Sequence, residues 1–410
     1  MSDVTTQVDA VFRAEYGHVV STLARLFGDI SLAEEAVQDA FAVAVEKWRA
    51  DGVPPNPGGW IVTTARRRAI DRLRREARRD ERHAHAALIY AGGGARPAAA
   101  VADDQLRMIF TCCHPALATE AQIALTLRLL GGLTTPQIAA AFLLPEATLA
   151  QRIVRAKRKI RDARIPYRVP AAEDLPTRLA AVAAVVYLIF TAGYSGDERA
   201  ELVRSELCAE AIRLARLLRE LLPDTPEVDG LLALLLLTDA RRPARLDAAG
   251  AMVPLTEQDR TRWDRDSIAE GLGLVRGCLA RNEPGSYQIQ AAINAVHCSA
   301  PTAADTDWGQ IRVLYDQLIT VEPTPIVALN RAMAVAETDG PAAALALVEE
   351  LDLPSYQPFH TVRAELLRRL GRYDESIAAY ERAIALTGNV VEREYLAAMR
   401  RAAGAQRPLR

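Results

Sequence analysis

Residues 133–161, LTTPQIAAAFLLPEATLAQRIVRAKRKIR, carry the pattern from which the fold class follows. Helical spacing runs from Gln122 to Leu130, and Gly131 and Gly132 break it. Thr134 or Thr135 can cap the next helix, and Pro136 suits its first turn, where the missing amide hydrogen costs nothing. That short helix is predicted to end by Phe142. Beyond Leu143 and Leu144, Pro145 opens a longer helix from Glu146 to about Arg164 whose later turns are basic. Two helices joined by a tight turn, the second basic, are the sequence form of a unit that reads the DNA major groove.

The rest of the chain reads as helix too. Half of its 410 residues are hydrophobic and a quarter charged, with Ala, Leu and Arg dominant, which predicts a soluble, all-α protein. Its length is too great for one core and implies two to four domains. The start, MSDVTTQVDA, has no basic segment followed by an apolar run, so no signal peptide is expected and the protein should be cytoplasmic. The apolar runs 180–192 and 231–237 fall short of the roughly 20 residues of a membrane span and read as buried core helices, with no membrane partner.

Five cysteines, Cys112, Cys113, Cys208, Cys278 and Cys298, lack the spacing of a disulfide framework or zinc site and are expected to be reduced. Cys112, Cys113 and His114 are adjacent, but neighbouring helical side chains diverge by about 100° and do not close on one ion. No nucleophile elbow, phosphate-binding glycine loop, dinucleotide fingerprint or metalloprotease helix appears, so neither a cofactor, a metal nor independent catalysis is expected. His297 and Cys298 lack a third partner and read as buried side chains.

Charge is unevenly placed. The formal net charge is −2, yet residues 60–82 hold nine arginines (Arg66, Arg67, Arg68, Arg72, Arg74, Arg75, Arg78, Arg79, Arg82) against four acids. Residues 151–168 hold eight Arg and Lys against Asp162 alone. Two basic stripes in an otherwise acidic chain point to nucleic acid at two places.

The first stripe lies on WIVTTARRRAIDRLRREARR, residues 60–79, one helix by pattern, with Ile61, Ala65, Ala69 and Leu73 four apart on an inner face. Before it, VPPNPGG at 53–59 forces a loop. Before that, SLAEEAVQDAFAVAVEKW at 31–48 repeats Glu34, Glu35, Gln38 and Asp39 at helical spacing, with Phe41 and Trp48 on the buried side. An acidic helix beside a basic one suggests a protein partner for the first and DNA for the second. YAGGGARPAAAV, 90–101, has the composition of a flexible linker, and IPYRVPAAEDLP, 165–176, marks the boundary with a C-terminal extension. There, helical patterns alternate with breaks at 193–197, 223–226, 282–285, 299–307, 323–325 and 352–358, suggesting a stacked helical array. Within 357–390, Gly371, Tyr373, Tyr380 and Ala383 fall at offsets resembling half a tetratricopeptide repeat, with Ser376 where Ala is usual.

Taken together, Gln38, Phe41, Trp48, Trp60, Ala65, Arg66, Ile70, Asp71 and Arg74 resemble region two of the extracytoplasmic-function sigma factors, group IV of the sigma-70 family. Residues 133–161 resemble their region four. The resemblance implies that Glu34, Glu35, Gln38 and Asp39 dock on core RNA polymerase. It implies that Arg66, Arg67, Arg68, Arg74 and Arg75 hold the minus-ten promoter element, with Asn56 to Trp60 framing a pocket for a flipped base. Extruding a base costs a few kcal/mol, which phosphate contacts and stacking offset. It also implies that Thr148, Gln151, Arg152 and Arg155 meet the major groove of the minus-thirty-five element and Lys157, Arg158 and Lys159 its phosphates; Arg reads guanine and Gln adenine by paired hydrogen bonds. Arg67 stands where many relatives carry Asn, and Ala150 where they often carry Lys.

FTCCHPAL (110–117), YLIFTAGYS (187–195), LCAEAIRLARLL (207–218), DRTRWDRDSIAEGL (259–272), APTAADTDWGQI (300–311) and ALNRAMAVAE (328–337) resemble a subgroup with a tetratricopeptide-like C-terminal domain. That resemblance implies a regulatory extension in place of a separate membrane anti-sigma factor. The expected domains are region two at 1–88, a linker at 89–103, region four at 104–168 and the extension at 171–410, most repeat-like at 325–390. Expected partners are core polymerase, promoter DNA, an intramolecular contact between extension and sigma domains, and a protein or peptide on the repeats. The charged cluster Asp259 to Asp266 reads as a salt-bridged helix start. Two other classes fit part of the pattern. A helix-turn-helix regulator with a helical sensor domain leaves the first stripe and its acidic helix unexplained; a repeat scaffold explains the extension alone.

Overall fold

The computed structural model describes residues 2–77, 98–142, 144–195 and 205–406. Arg78, Arg79 and Arg82 of the first basic stripe, Leu143 and most of the expected linker lie outside the described residues. Among the described residues the only β-pairing is one isolated bridge, Leu246 with Met252. The chain divides into two compact units, residues 1–189 and 190–410.

In the first unit, α1 (Ser2–Phe27) turns at Gly28, whose φ of +67° favours glycine. Asp29 then caps α2 (Ile30–Asp51), accepting from the amides of Ser31 and Leu32 at 2.7 and 3.1 Å. α3 (Pro57–Ala77) starts three residues before the expected Trp60, because Pro57 is preorganised for a first turn and the Asn56 side chain accepts from the Gly59 amide at 2.9 Å. Val37, Phe41, Ala44 and Trp48 of α2 and Ile61, Ala65 and Ala69 of α3 are all buried, as their spacing predicts, in a common core with Val19, Val20 and Leu23.

α4 (Ala98–Cys112) begins inside the expected linker; the run Ala98 to Val101 has the helix propensity to extend the element backward. α5 (Thr119–Leu129), α6 (Thr135–Ala141) and α7 (Glu146–Asp162) form the predicted helix-turn-helix. Thr134, not Thr135, is the cap: its hydroxyl accepts from the Gln137 amide while Gln137 accepts from the Thr134 amide at 2.8 Å, a reciprocal capping box. α8 (Leu175–Ser195) follows, and the division between units falls within it rather than at 165–176. Side-chain anchors hold that segment to the first unit: the Tyr167 hydroxyl lies 2.9 and 3.0 Å from the carbonyls of Ser21 and Asp104, and Arg178 donates to the Phe110 carbonyl at 2.6 Å. Residues 175–194 are long and apolar enough to cross a membrane by length and composition.

The second unit begins with α9 (Ser205–Leu221), α10 (Pro226–Asp239), α11 (Arg265–Arg281) and α12 (Ser286–Ser299). α10 is apolar on every side and is covered by the other three, leaving Leu231 to Leu237 buried throughout. The sequence pattern missed the long connection 240–264. Its only helical parts are three single 3-10 turns, Arg242–Ala244, Leu255–Glu257 and Arg260–Arg262, and Asp247 turns the chain by accepting from the Ala249 and Ala251 amides. The charged cluster ends this connection as the expected helix start: Asp264 caps α11, and Arg260 donates to the carbonyls of His297 and Ala300 at the end of α12, both at 2.6 Å.

α13 (Trp308–Val321), α14 (Pro325–Thr338), α15 (Pro341–Glu349), α16 (Gln357–Arg369), α17 (Tyr373–Leu386) and α18 (Val390–Ala405) continue as successive packed helices. Gly371, at φ +72°, makes the turn between α16 and α17. Tyr380 and Ala383 are buried between those helices, and the buried Ser376 hydroxyl donates across to the Ala364 carbonyl at 2.8 Å. A hydroxyl is therefore satisfied where the repeat usually has a methyl.

At Gly230 of α10 a Cβ would lie 2.7 Å from the Gln288 backbone nitrogen. Gly230→Ala is expected to force α10 and α12 apart and destabilise the second unit by about 1–3 kcal/mol. Denaturant unfolding checks this; an unchanged midpoint would show that the two helices yield freely.

Candidate functional site

Of the four residues predicted on the acidic face of α2, Glu35 and Asp39 are exposed and Gln38 is half-buried. Glu35 pairs with Arg72 of α3. Glu34 departs from the expectation. It is only 4% exposed, and its carboxylate receives hydrogen bonds and ion pairs from Arg128 of α5 and Lys157 of α7, with Gln38 donating to it at 3.0 Å. The signal for this was available: Glu34 continues the row Val37, Phe41, Ala44 and Trp48, spaced three and four apart, so it belongs to the inward face. Its partner could not be read, since Arg128 and Lys157 lie 94 and 123 residues away in sequence.

On α3, the inner row leaves Arg67, Arg68, Arg74 and Arg75 exposed and Arg66 half-exposed. Trp60 is half-exposed beside the buried Trp48, ring centroids 5.4 Å apart and edge to face. Asn56 is exposed, though its side-chain oxygen is engaged by the Gly59 amide. Thus α3 presents a cationic face flanked by an open aromatic edge, suited to phosphates and stacked bases.

α7 is strongly two-sided. Leu149, Ile153, Ala156 and Ile160 are buried, while Thr148, Gln151, Arg155, Arg158 and Lys159 are exposed and Arg152 is half-buried. Lys157 is the second departure. The helical wheel turns it away from the groove-facing side, towards α2, where it meets Glu34 rather than open solvent. The sequence reading also missed Val154, 64% exposed at the centre of the outward face, with Gln151 and Arg158 one turn to either side. Its signal is an apolar, β-branched residue out of register with the buried stripe.

Among the described residues no group of three His, Cys, Asp or Glu side chains could hold a metal ion. Cys112 and Cys113 are fully buried, and burial pushes the Cys113 thiol up to about 12. His297 lies edge-on to Trp308, and burial holds it neutral by lowering its pKa to about 4.

Comparison with known families agrees with this layout. Residues 11–79 match the family model for sigma-70 region 2, residues 107–160 that for sigma-70 region 4, and residues 178–279 a family of unknown function, DUF6596. An uncharacterized protein, R00370, of Rhizobium meliloti is 43% identical over 406 residues, spanning 96% of this chain and 95% of that protein. The probable ECF RNA polymerase sigma factor SigI of Mycobacterium tuberculosis is 29% identical over 42% of this chain and 60% of its own length. SigK of Mycobacterium ulcerans, an ECF RNA polymerase sigma factor, is 28% identical over 35% and 78% respectively. A solved tetratricopeptide-repeat domain, that of P58(IPK), aligns with 91% of this chain and 99% of its own at 15% identity, but its TM-score of 0.25 is too low to carry a fold assignment.

Glu34 offers a direct test of the interface between the two DNA-type modules. Glu34→Ala leaves Arg128 and Lys157 buried without a counter-charge and is expected to cost the first unit about 3 kcal/mol, whereas Asp39→Ala should change it by less than about 0.5 kcal/mol. Chemical denaturation of both variants measures the difference; equal stabilities would show the carboxylate to be solvated.

Proposed function

The chain belongs to the extracytoplasmic-function sigma factors of the sigma-70 family, and from that membership we propose which of its surfaces carry out transcription initiation. Core RNA polymerase and promoter DNA are its partners, and the family is not one of enzymes: polymerase performs the chemistry. Its place of action is accordingly the cytoplasm.

Glu35 and Asp39, with Gln38 beside them, form the face that docks on polymerase, being the acids of α2 that face solvent. Arg66, Arg67, Arg68, Arg74 and Arg75 hold the phosphates of the minus-ten element, and Trp60 with Asn56 borders the pocket of the extruded base. α7 lies in the major groove of the minus-thirty-five element with Thr148, Gln151 and Arg155 towards base edges, Arg152 at the margin and Arg158 and Lys159 near phosphates. The observation that carries this reading is the two-sidedness of α7, where Thr148, Gln151, Arg155, Arg158 and Lys159 are exposed opposite one buried stripe. Val154, 64% exposed, sits amid those polar groups. The one apolar feature a base pair shows in the major groove is the thymine methyl, and we assign Val154 to such a contact. The domains are taken as region two to residue 88, region four at 104–168 and the extension from 171. The extension governs activity, which the fused helical hairpins support by offering a large surface on the same chain.

Run-off transcription with purified core polymerase, on a promoter from upstream of its own gene, tests the docking face. A discrete transcript that requires the protein is expected, with Glu35→Lys/Asp39→Lys losing it together with core binding; a double variant as active as wild type would remove that face from the mechanism. In the same assay Gly230→Ala, which disturbs the extension alone, should alter transcript yield, and an unaltered yield would leave the extension without a part in initiation.

Replacing each thymine of the upstream element by deoxyuridine removes only its methyl. At one position this should weaken wild-type binding about fivefold and leave Val154→Ala, already weaker, indifferent. Equal sensitivity of the two proteins at every position would refute the contact.

A further inference from the structure

We propose that the C-terminal extension carries a binding site for a small oxyanion, a free phosphate or carboxylate ion, made by Arg241, Arg260 and His297. Arg241 follows the end of α10, and its guanidinium donates to the Asn294 side chain at 2.7 Å. Arg260, from the connection 240–264, donates to the His297 carbonyl at 2.6 Å. Asn294 and His297 stand three residues apart and so share one face of α12. Two guanidiniums from outside α12 thus converge on its last turns, beside one imidazole.

What these cations lack is an acid. Among the described residues of the second unit, the partly buried arginines without an ion-pair partner are Arg241, Arg245 and Arg260; others of that burial, such as Arg213, Arg242, Arg331 and Arg368, each have one. Arg245 is spent on the Tyr194 ring, 3.8 Å from its centroid. The acids close by in sequence are committed: Asp239 pairs with Arg242 at 3.1 Å and Asp264 caps α11. Asp305, whose charge acts on Arg260, is exposed and accepts from the Thr302 amide and hydroxyl. Burial lowers the pKa of Arg260, and repulsion from Arg241 adds to this.

Donors are left over as well. The Nε–H of Arg241 is buried without a hydrogen-bond partner among the described residues, and so is the indole N–H of Trp263, on whose ring Arg260 lies. The His297 ring meets Trp308 edge-on, and among the described residues neither of its nitrogens has a hydrogen-bond partner. Unmet buried donors and adjacent like charges are both costly, and both costs fall if an acceptor-only, negatively charged group enters. An oxyanion is such a group. Its oxygens match the planar fork of a guanidinium, which a spherical chloride does not. Arg241, Arg260, Asn294 and His297 all keep part of their surface exposed, so the site is open to solvent.

Occupancy has a consequence at His297. Burial and then the charges of Arg241 and Arg260 hold its pKa at about 4, so the empty site carries a neutral ring. An anion beside the ring favours the protonated form and offsets the two guanidiniums, so the pKa must rise on binding. The imidazolium then becomes a third cationic donor to the same ligand.

The experiment uses the full chain at neutral pH and matched ionic strength, titrated with sodium phosphate, sodium acetate or sodium chloride. Calorimetric unfolding of the wild type should show Tm raised by about 5 °C at saturating phosphate or acetate and unmoved by chloride; whichever oxyanion acts at the lower concentration identifies the group recognised. Arg241→Gln should lose the rise, while Arg276→Gln, at an exposed arginine of α11, should keep it. A second measurement needs no variant: in a histidine titration of the wild type by NMR, the ring with the lowest midpoint should move up by about one unit in the effective anion. A Tm that chloride raises as much, no rise with either oxyanion, an equal rise in Arg241→Gln, or an unmoved histidine midpoint would each overturn the site.

Discussion

A single buried carboxylate organises the first half of this molecule. Glu34 draws a guanidinium from α5 and an ammonium from α7 to one point on α2, and three charges from separate elements are satisfied there together with the Gln38 amide. A buried pair of this kind adds little to stability against a well-packed apolar alternative, since desolvation consumes most of the Coulomb gain. Its effect lies in specificity: the contact exists only when the two modules meet in one register. Tyr167, Arg25 and the glycine contacts at positions 17 and 132 are compatible with that register alone.

Each sigma module carries half of the contact that holds the two together. Ionic and hydrogen-bonded groups suit such a device better than an apolar seam would, because their partners can be exchanged without exposing hydrocarbon to water. A purely apolar seam would bind more tightly and release less readily.

The extension solves a different problem. Its helices pack through small residues at the crossings, Gly230 against α12 and Ala364, Ser376 and Ala383 between α16 and α17, so that helices approach closely and successive hairpins share a core. The charged residues 259–266, read from the sequence as a helix start, act as local braces. Asp264 and Asp259 cap helical turns, and Arg260 satisfies carbonyls left open at the end of α12 while stacking on Trp263, 4.7 Å from the ring centroid. That leaves the long connection 240–264 ordered without an α-helix of its own.

The helix-turn-helix, its glycine break and a threonine cap at Thr134 or Thr135 were legible in the sequence because they depend on neighbours within a few residues. So were the apolar rows of α2 and α3 and the arginine faces they leave outward, since a 3.6-residue period sets which side chains share a side. The turn at Gly371 and the buried Tyr380 were legible for the same reason. What the sequence did not reveal depends on contacts between residues far apart in the chain. Glu34 reads as one more acid on an acidic helix until α5 and α7 bring cations to it. Lys157 reads as one more phosphate ligand until its side of the wheel turns out to face α2. The proline-rich boundary at 165–176 belongs to the first unit only because Tyr167 finds two carbonyls there, one 146 residues away. Local sequence determined which elements form and which faces they bury; only the tertiary structure decided which charges are spent inside the molecule and which remain for polymerase and DNA, because a charge is committed by the partner that folding brings to it.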